Sequence, residues 1–193
     1  MSPNTTIRSI SRTVPANAAL LRAVQKKDMR AVCRALDQGA NPNTRNGHGV
    51  PCFFAAAKRE CWAILSVLIT AGAQVNYLGK WGWGTCTKTV LHLAAFYGRA
   101  DVIEQILDAK KMDVNARCGF GRTALHEAAA GNSYPAVRAL LDHGADPLLA
   151  SDPSCPDGPN YLPIKAIDKG RPGAHDVKTA LSWAKRDRLG DEA

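Results

Sequence analysis

Apolar residues recur along this chain in short blocks at helical spacing, each closed by a polar turn. Leu20, Leu21 and Val24 are followed by Val32 and Leu36. The Lys26-Lys27-Asp28 break splits that pattern into two short helices. Gln38-Gly39-Ala40-Asn41-Pro42-Asn43 closes it, with Gly39 as the predicted left-handed helix stop. A second block runs from Val50 to Ala56 and continues with Ile64, Leu65, Val67, Leu68 and Ile69. A third runs from Thr89 to Ala95 and continues with Val102, Ile103, Ile106 and Leu107. A fourth runs from Thr123 to Ala129, then Val137, Leu140 and Leu141. The pattern predicts helix pairs over about 16–45, 46–77, 78–115 and 116–149.

The closing residues keep time. Asn43 and Asn76 are 33 residues apart, Asn76 and Asn115 are 39, and Asn115 and Leu148 are again 33. One period with a single six-residue insertion accounts for all three intervals. Because the flanking motifs are intact, the insertion is placed at Leu78–Lys88, whose glycines argue against a helix. Residues 1–15 read as a flexible tail, with Pro15 at or just before the first helical turn. Residues 150–190 read as a degraded unit: a Pro- and Gly-containing loop, then Leu162–Ile167, a turn at Lys169–Gly173, and one helical face from Val177, Leu181 and Ala184.

The fourth block carries the most specific signature. Thr123-Ala124-Leu125-His126, then Ala128-Ala129, and the ending Gly144-Ala145-Asp146 resemble an ankyrin repeat, a unit of about 33 residues opening on T-P-L-H-x-A. Thr89-Val90-Leu91-His92-Leu93-Ala94-Ala95 is a close second match. Val50-Pro51-Cys52-Phe53-Phe54-Ala55-Ala56 is laid on the same positions, with Phe53 at the histidine and Pro51 in the first helical turn. The resemblance implies an all-α solenoid of stacked helix-turn-helix units, with four clear repeats over 16–149 and a degenerate C-terminal cap. Paired alanines at 55–56, 94–95 and 128–129 let the helices approach closely.

Composition is that of an ordinary globular chain, 46% hydrophobic and 22% charged over 193 residues. No apolar run is long enough to cross a bilayer. The N-terminus lacks the apolar stretch of a secretory signal, and its arginines without acids fit a transit peptide less well than a tail. Six cysteines, Cys33, Cys52, Cys61, Cys86, Cys118 and Cys155, form no C-x-x-C pair and are expected to be reduced thiols in the cytoplasm or nucleus.

His92 and His126 invite a catalytic reading. The resemblance implies structural ties instead, since Thr89 and Thr123 stand three residues before them. A zinc site from Cys86, His92, Cys118 and His126 has irregular spacing and is disfavoured. Lys80-Trp81-Gly82-Trp83-Gly84 lacks the order of a phosphate loop. No cofactor, metal or catalytic residue is expected.

The net charge of +8 favours acidic partners. The segments 41–50, 77–88 and 115–122 hold Arg45, Lys80, Lys88, Arg117 and Arg122 with no acid, and His48 adds a titratable group. In the ankyrin family such segments form hairpin-like tips beside a concave face. A basic docking face is one reading, and scattered basic residues are the other. Trp81 and Trp83 either stand out as a contact site, with Phe96 and Tyr97 completing an aromatic platform, or pack locally. The expected contact set is therefore Arg45, His48, Lys58, Lys80, Trp81, Trp83, Lys88, Phe96, Tyr97, Arg117, Phe120 and Arg122. The expected function is a non-enzymatic module binding an acidic protein surface or peptide. Binding of nucleic acid or another anionic surface is the alternative, and a cysteine or zinc enzyme is a third.

Overall fold

The structure, a computed structural model, describes residues 4–80, 86–109, 112–153, 155, 162–166 and 173–189, and only the backbone of residues 4–14. The chain divides into two compact units, Met1–Tyr77 and Leu78–Ala193.

The first unit holds α1 (Asn4–Lys26), α2 (Met29–Asp37), α3 (Cys52–Lys58) and α4 (Trp62–Thr70). The tail expected over 1–15 is corrected: α1 is already helical at Asn4 and carries Pro15 inside it. Proline there lacks the N–H of one i→i−4 bond, and the good helix formers Ala16, Ala18, Ala19, Leu20 and Leu21 continue the helix beyond it. The break between α1 and α2 has a local cause. Asp28 caps α2 by accepting from the backbone N–H of Ala31 at 3.0 Å. Lys27 just before it turns left-handed, with φ 58°. Gly39 ends α2 with φ 86°, as its composition predicts. Leu20, Val24, Val32, Phe53, Phe54, Leu65, Leu68 and Ile69 form the core of this unit.

The observed helix starts shift the predicted register of the second repeat by one residue. Pro51 occupies the N-cap of α3, extended at φ −61° and ψ 145°, rather than the first turn. It therefore stands where Thr89 and Thr123 cap their helices. Phe54, not Phe53, replaces the histidine. The buried alanine pair is 56–57, while Ala55 is half-buried. The substitution is chemically consistent. Proline has no N–H to present to an imidazole, so an apolar ring three residues later leaves no donor orphaned.

The second unit opens with a short antiparallel pair, β1 (Gly79–Lys80) and β2 (Thr87–Lys88), with Gly79 opposite Lys88 and Lys80 opposite Thr87. It continues with α5 (Val90–Phe96), α6 (Ala100–Asp108), α7 (Ala124–Ala130), α8 (Tyr134–Asp142), a 3-10 turn at Pro163–Ala166, and α9 (Ala174–Leu189). The insertion is thus the base of a hairpin. It also divides. Thr89 follows Pro51 by 38 residues and Thr123 follows Thr89 by 34, so five extra residues lie before α5. One more lies between Asp108 and Asn115, where the glycine-alanine ending is missing. The described part of 150–190 holds a 3-10 turn and one long helix, with Val177 and Leu181 of that helix buried.

Short helices of seven to nine residues cannot hold themselves together in water. Packing between repeats does it. In the second unit Leu91, Ala94, Ala95, Val102, Ile103 and Ile106 meet Leu125, Ala128, Ala129, Val137 and Leu140 in one core. The approach is close: a Cβ on Gly131 would fall 2.3 Å from the Phe96 carbonyl oxygen, so only glycine fits where α7 ends.

The periodic asparagines have a physical role. Asn43 Oδ1 accepts from the Gln74 N–H at 2.7 Å, and Asn115 Oδ1 accepts from the Asp146 N–H at 2.9 Å. Each ties its own loop to the next one along. Replacing Asn115 by alanine leaves that N–H without its partner and is expected to lower stability by about 1–2 kcal/mol. Urea unfolding of the full chain checks this, and an unchanged midpoint contradicts it.

Candidate functional site

Of the expected contact residues in the second unit, Lys88 and Arg122 meet one carboxylate. The group at the centre, Glu127, was not among the expected residues. It sits on α7 directly after His126 and is 2% exposed. Its Oε2 takes Lys88 Nζ at 2.8 Å, and its Oε1 lies 3.5 Å from Arg122 Nε. The two cations are themselves nearly covered, at 14% and 16% side-chain exposure. The expectation that Lys88 and Arg122 are open docking cations is therefore corrected. They are the counter-ions of a buried acid, whose charge is costly to hold away from water without them.

His92 fixes this arrangement. Thr89 caps α5, and its N–H and side-chain oxygen face His92 Nδ1 at 3.4 and 2.7 Å. The cap and the histidine make a reciprocal box with imidazole in the place usually taken by Glu or Gln. With Nδ1 as the acceptor, Nε2 carries the proton and donates it to the Arg122 carbonyl at 2.9 Å. One side chain thus joins the start of α5 to the tip of the following repeat. Thr123 and His126 repeat the local half of the box, with Thr123 N–H to His126 Nδ1 at 3.1 Å. Burial holds the His92 pKa below its ordinary 6.5, against the opposing pull of the Arg122 carbonyl and Glu127.

The tips are closed turns. Arg117 and Thr123 form an antiparallel bridge, and Arg117 Nη1 donates to the carbonyls of Gly121 at 3.0 Å and Ala150 at 2.8 Å. Asp152 lies 3.5 Å from the same guanidinium. Phe120 is half-buried, and its carbonyl accepts from the Asp152 N–H. In the first unit Arg45 repeats the pattern: it bridges to Pro51 and donates to the Gly49 carbonyl at 2.9 Å. Its guanidinium also lies 5.2 Å from the centre of the Tyr77 ring, which stacks edge-on to Phe54. His48 and Lys58 are exposed in that unit.

An aromatic pair is among the open groups of the second unit. Phe96 is 37% exposed at the end of α5, with Tyr97 edge-on to it at 5.4 Å. Lys88 Nζ lies 5.6 Å from the Phe96 ring centre, so the hairpin base lies alongside. Lys80 is exposed on the paired strand. Trp81 and Trp83 lie outside the described residues. A separate open groove of about 970 Å³ runs between α8 and α9, flanked by Tyr134 and by Trp183, which is 66% exposed. None of the expected contact residues lines it. Among the described residues no cluster of three or more His, Cys, Asp or Glu could hold a metal ion. No described helix is long and apolar enough to cross a membrane.

A family model for ankyrin repeats, three copies to the model, matches residues 20–118 and 80–151. The chain belongs to the ankyrin-repeat family. A mitochondrial disaggregase of Bos taurus is 33% identical over 139 residues, which is 70% of this chain and 20% of that protein. The palmitoyltransferase akr1 of Schizosaccharomyces pombe is 45% identical over 56 residues, 29% of this chain and 9% of that protein. The ankyrin repeat and KH domain-containing protein 1 of Homo sapiens is 41% identical over 86 residues, 45% of this chain and 3% of that protein. This chain spans a fifth or less of each. Ankyrin repeats generally mediate protein–protein interaction, and they are typically non-catalytic.

Two predictions follow from the buried polar set. Glu127→Gln keeps the shape and removes the charge, leaving Lys88 and Arg122 facing a neutral amide. It is expected to cost about 2–4 kcal/mol, since both cations can regain some water; a melting temperature equal to wild type contradicts the buried-acid account. The histidines give the pH dependence. His92 has its folded pKa depressed, so its contribution is full above pH 6.5 and is lost as pH falls through the folded value. His143 runs the other way. Its hydrogen bond to Asp108 at 3.0 Å raises its pKa, so that tie is present below 6.5 and is lost as pH rises through the raised value. Asp108 is largely exposed, so His92 dominates. Stability measured by urea unfolding should fall as pH is lowered from 6.5, and more shallowly in His92→Phe; identical slopes in the two proteins contradict the assignment.

Proposed function

We propose that this chain is a non-enzymatic adaptor whose second unit binds a peptide segment of another protein at Phe96 and Tyr97, beside the hairpin that carries Lys80. The observation that supports it most is Phe96 itself. A phenylalanine left open to solvent and backed by Tyr97 offers apolar contact, with the Glu127-paired Lys88 beneath its edge. The occupant such a surface favours has an apolar side chain next to acidic ones. Lys80 supplies the exposed charge, and Trp81 and Trp83 follow it closely in sequence. In the first unit, exposed Arg45, His48 and Lys58 are secondary contact candidates for the same kind of acidic surface.

The buried histidines and Glu127 favour this reading over catalysis. Each makes the contacts of a structural tie, and His92 has both ring nitrogens engaged. The pairing of Lys88 and Arg122 with Glu127, and of Arg117 with Asp152, also weighs against a nucleic-acid surface. A phosphate backbone is best met by cations not already neutralised by protein acids.

Selection of displayed peptides on the purified chain tests the proposal. The expected outcome is enrichment of sequences combining Asp or Glu with an aromatic or aliphatic residue. Their binding should weaken about tenfold or more in Phe96→Ala, with the melting temperature within a degree or two of wild type. Peptides that bind Phe96→Ala as well as wild type place the surface elsewhere.

A further inference from the structure

Cys86 and Cys118 lie 32 residues apart in sequence and side by side in the second unit. Cys86 immediately precedes β2, and Cys118 lies in the tip of the next repeat. The Gly119 N–H donates to the Thr87 carbonyl at 2.9 Å, so the two segments touch through a backbone hydrogen bond. A Cβ on Gly119 would fall 3.7 Å from Cys86 Cα, which shows how closely the backbones approach. A disulfide needs a Cα separation of about 4.4–6.8 Å, so the partners must sit on backbones in contact. Both cysteines are free.

We propose that Cys86 and Cys118 are an oxidative modification site, closed to a disulfide by hydroperoxides, that staples the hairpin of one repeat to the tip of the next. Cys86 reacts first because it is half-exposed, whereas Cys118 is buried. Its thiol gives up a proton, and the sulfur attacks one oxygen of the hydroperoxide. The O–O bond breaks, the leaving oxygen takes up that proton, and Cys86 becomes a sulfenic acid. The Cys118 sulfur then attacks the Cys86 sulfur, the S–O bond breaks, and the oxygen leaves as water with the Cys118 proton. Two thiols and one hydroperoxide give one disulfide, one water and one alcohol, the last being a second water when the oxidant is hydrogen peroxide. Burial and the neighbouring Cys118 push the Cys86 thiol up to about 11. The first step is therefore slow at neutral pH and speeds as pH rises.

The test treats the reduced full chain with hydrogen peroxide, blocks remaining thiols with an alkylating agent, and maps the digested peptides by mass spectrometry. The expected product is an intramolecular Cys86–Cys118 link, two hydrogens lighter than the reduced chain and reversed by dithiothreitol. A rise in melting temperature of several degrees should accompany it, since the link closes a loop of about 30 residues. In Cys118→Ser, folded by its far-ultraviolet spectrum, the Cys86 sulfenic acid should persist and be captured by a 1,3-dione. Cys86 ending as a sulfinic acid in wild type, or linked to another cysteine, overturns the proposal. So does a folded Cys118→Ser that captures no dione. The wild-type map stands on its own where the variant does not fold.

Discussion

Much of the second unit depends on the Thr89–His92–Arg122 chain of hydrogen bonds. It starts as a helix cap, which any seven-residue helix needs because its first N–H groups have no partners within the helix. Placing imidazole at the third helical position gives that cap a second, outward-pointing donor. The donor reaches the Arg122 carbonyl, and so the start of one repeat sets the tip of the next. The tip in turn carries Arg122 to Glu127, which brings in Lys88 from the hairpin. A local capping requirement thereby becomes long-range order, without any helix long enough to be stable by itself.

Function in such a scaffold lies in what the ties leave uncovered. Polar groups that look like chemistry in the sequence are mostly occupied with the backbone: His92, His126, Arg45 and Arg117 each hold a turn or a cap. Phe96 is different. Its backbone carbonyl packs against Gly131, while its ring stands at the surface. The repeat needs this residue's main chain and leaves its side chain open to a partner.

Much of this was readable in the residues. The asparagine period, the Thr-x-x-His openings and the apolar faces place α3 to α8 and the cap helix α9, because each signal is local and repeats. The one-residue slip at Pro51 arose where the signal was chemically ambiguous, since proline suits both the N-cap and the first turn. The insertion was counted correctly but assigned to one place, because spacing between asparagines reports a sum and not its division. Glu127 was missed for a plainer reason. The tip segments hold no acid of their own, and this one reaches them from the helix behind. An acid at a position that Leu93 fills in the neighbouring repeat was the available clue, since a charge on a buried face requires a partner. The start of α1 before Pro15 was hidden because its residues show few strongly apolar positions.

The central claim is that the buried polar groups are neutral or paired structural ties rather than catalytic ones. Nitrogen-detected NMR of His92 across pH 5 to 8 tests it most directly. The account predicts a neutral ring protonated at Nε2 throughout the range in which the chain stays folded, with a pKa below the ordinary 6.5. A His92 ring that takes up its second proton at or above pH 6.5 in the folded protein, or that is protonated at Nδ1, would contradict it.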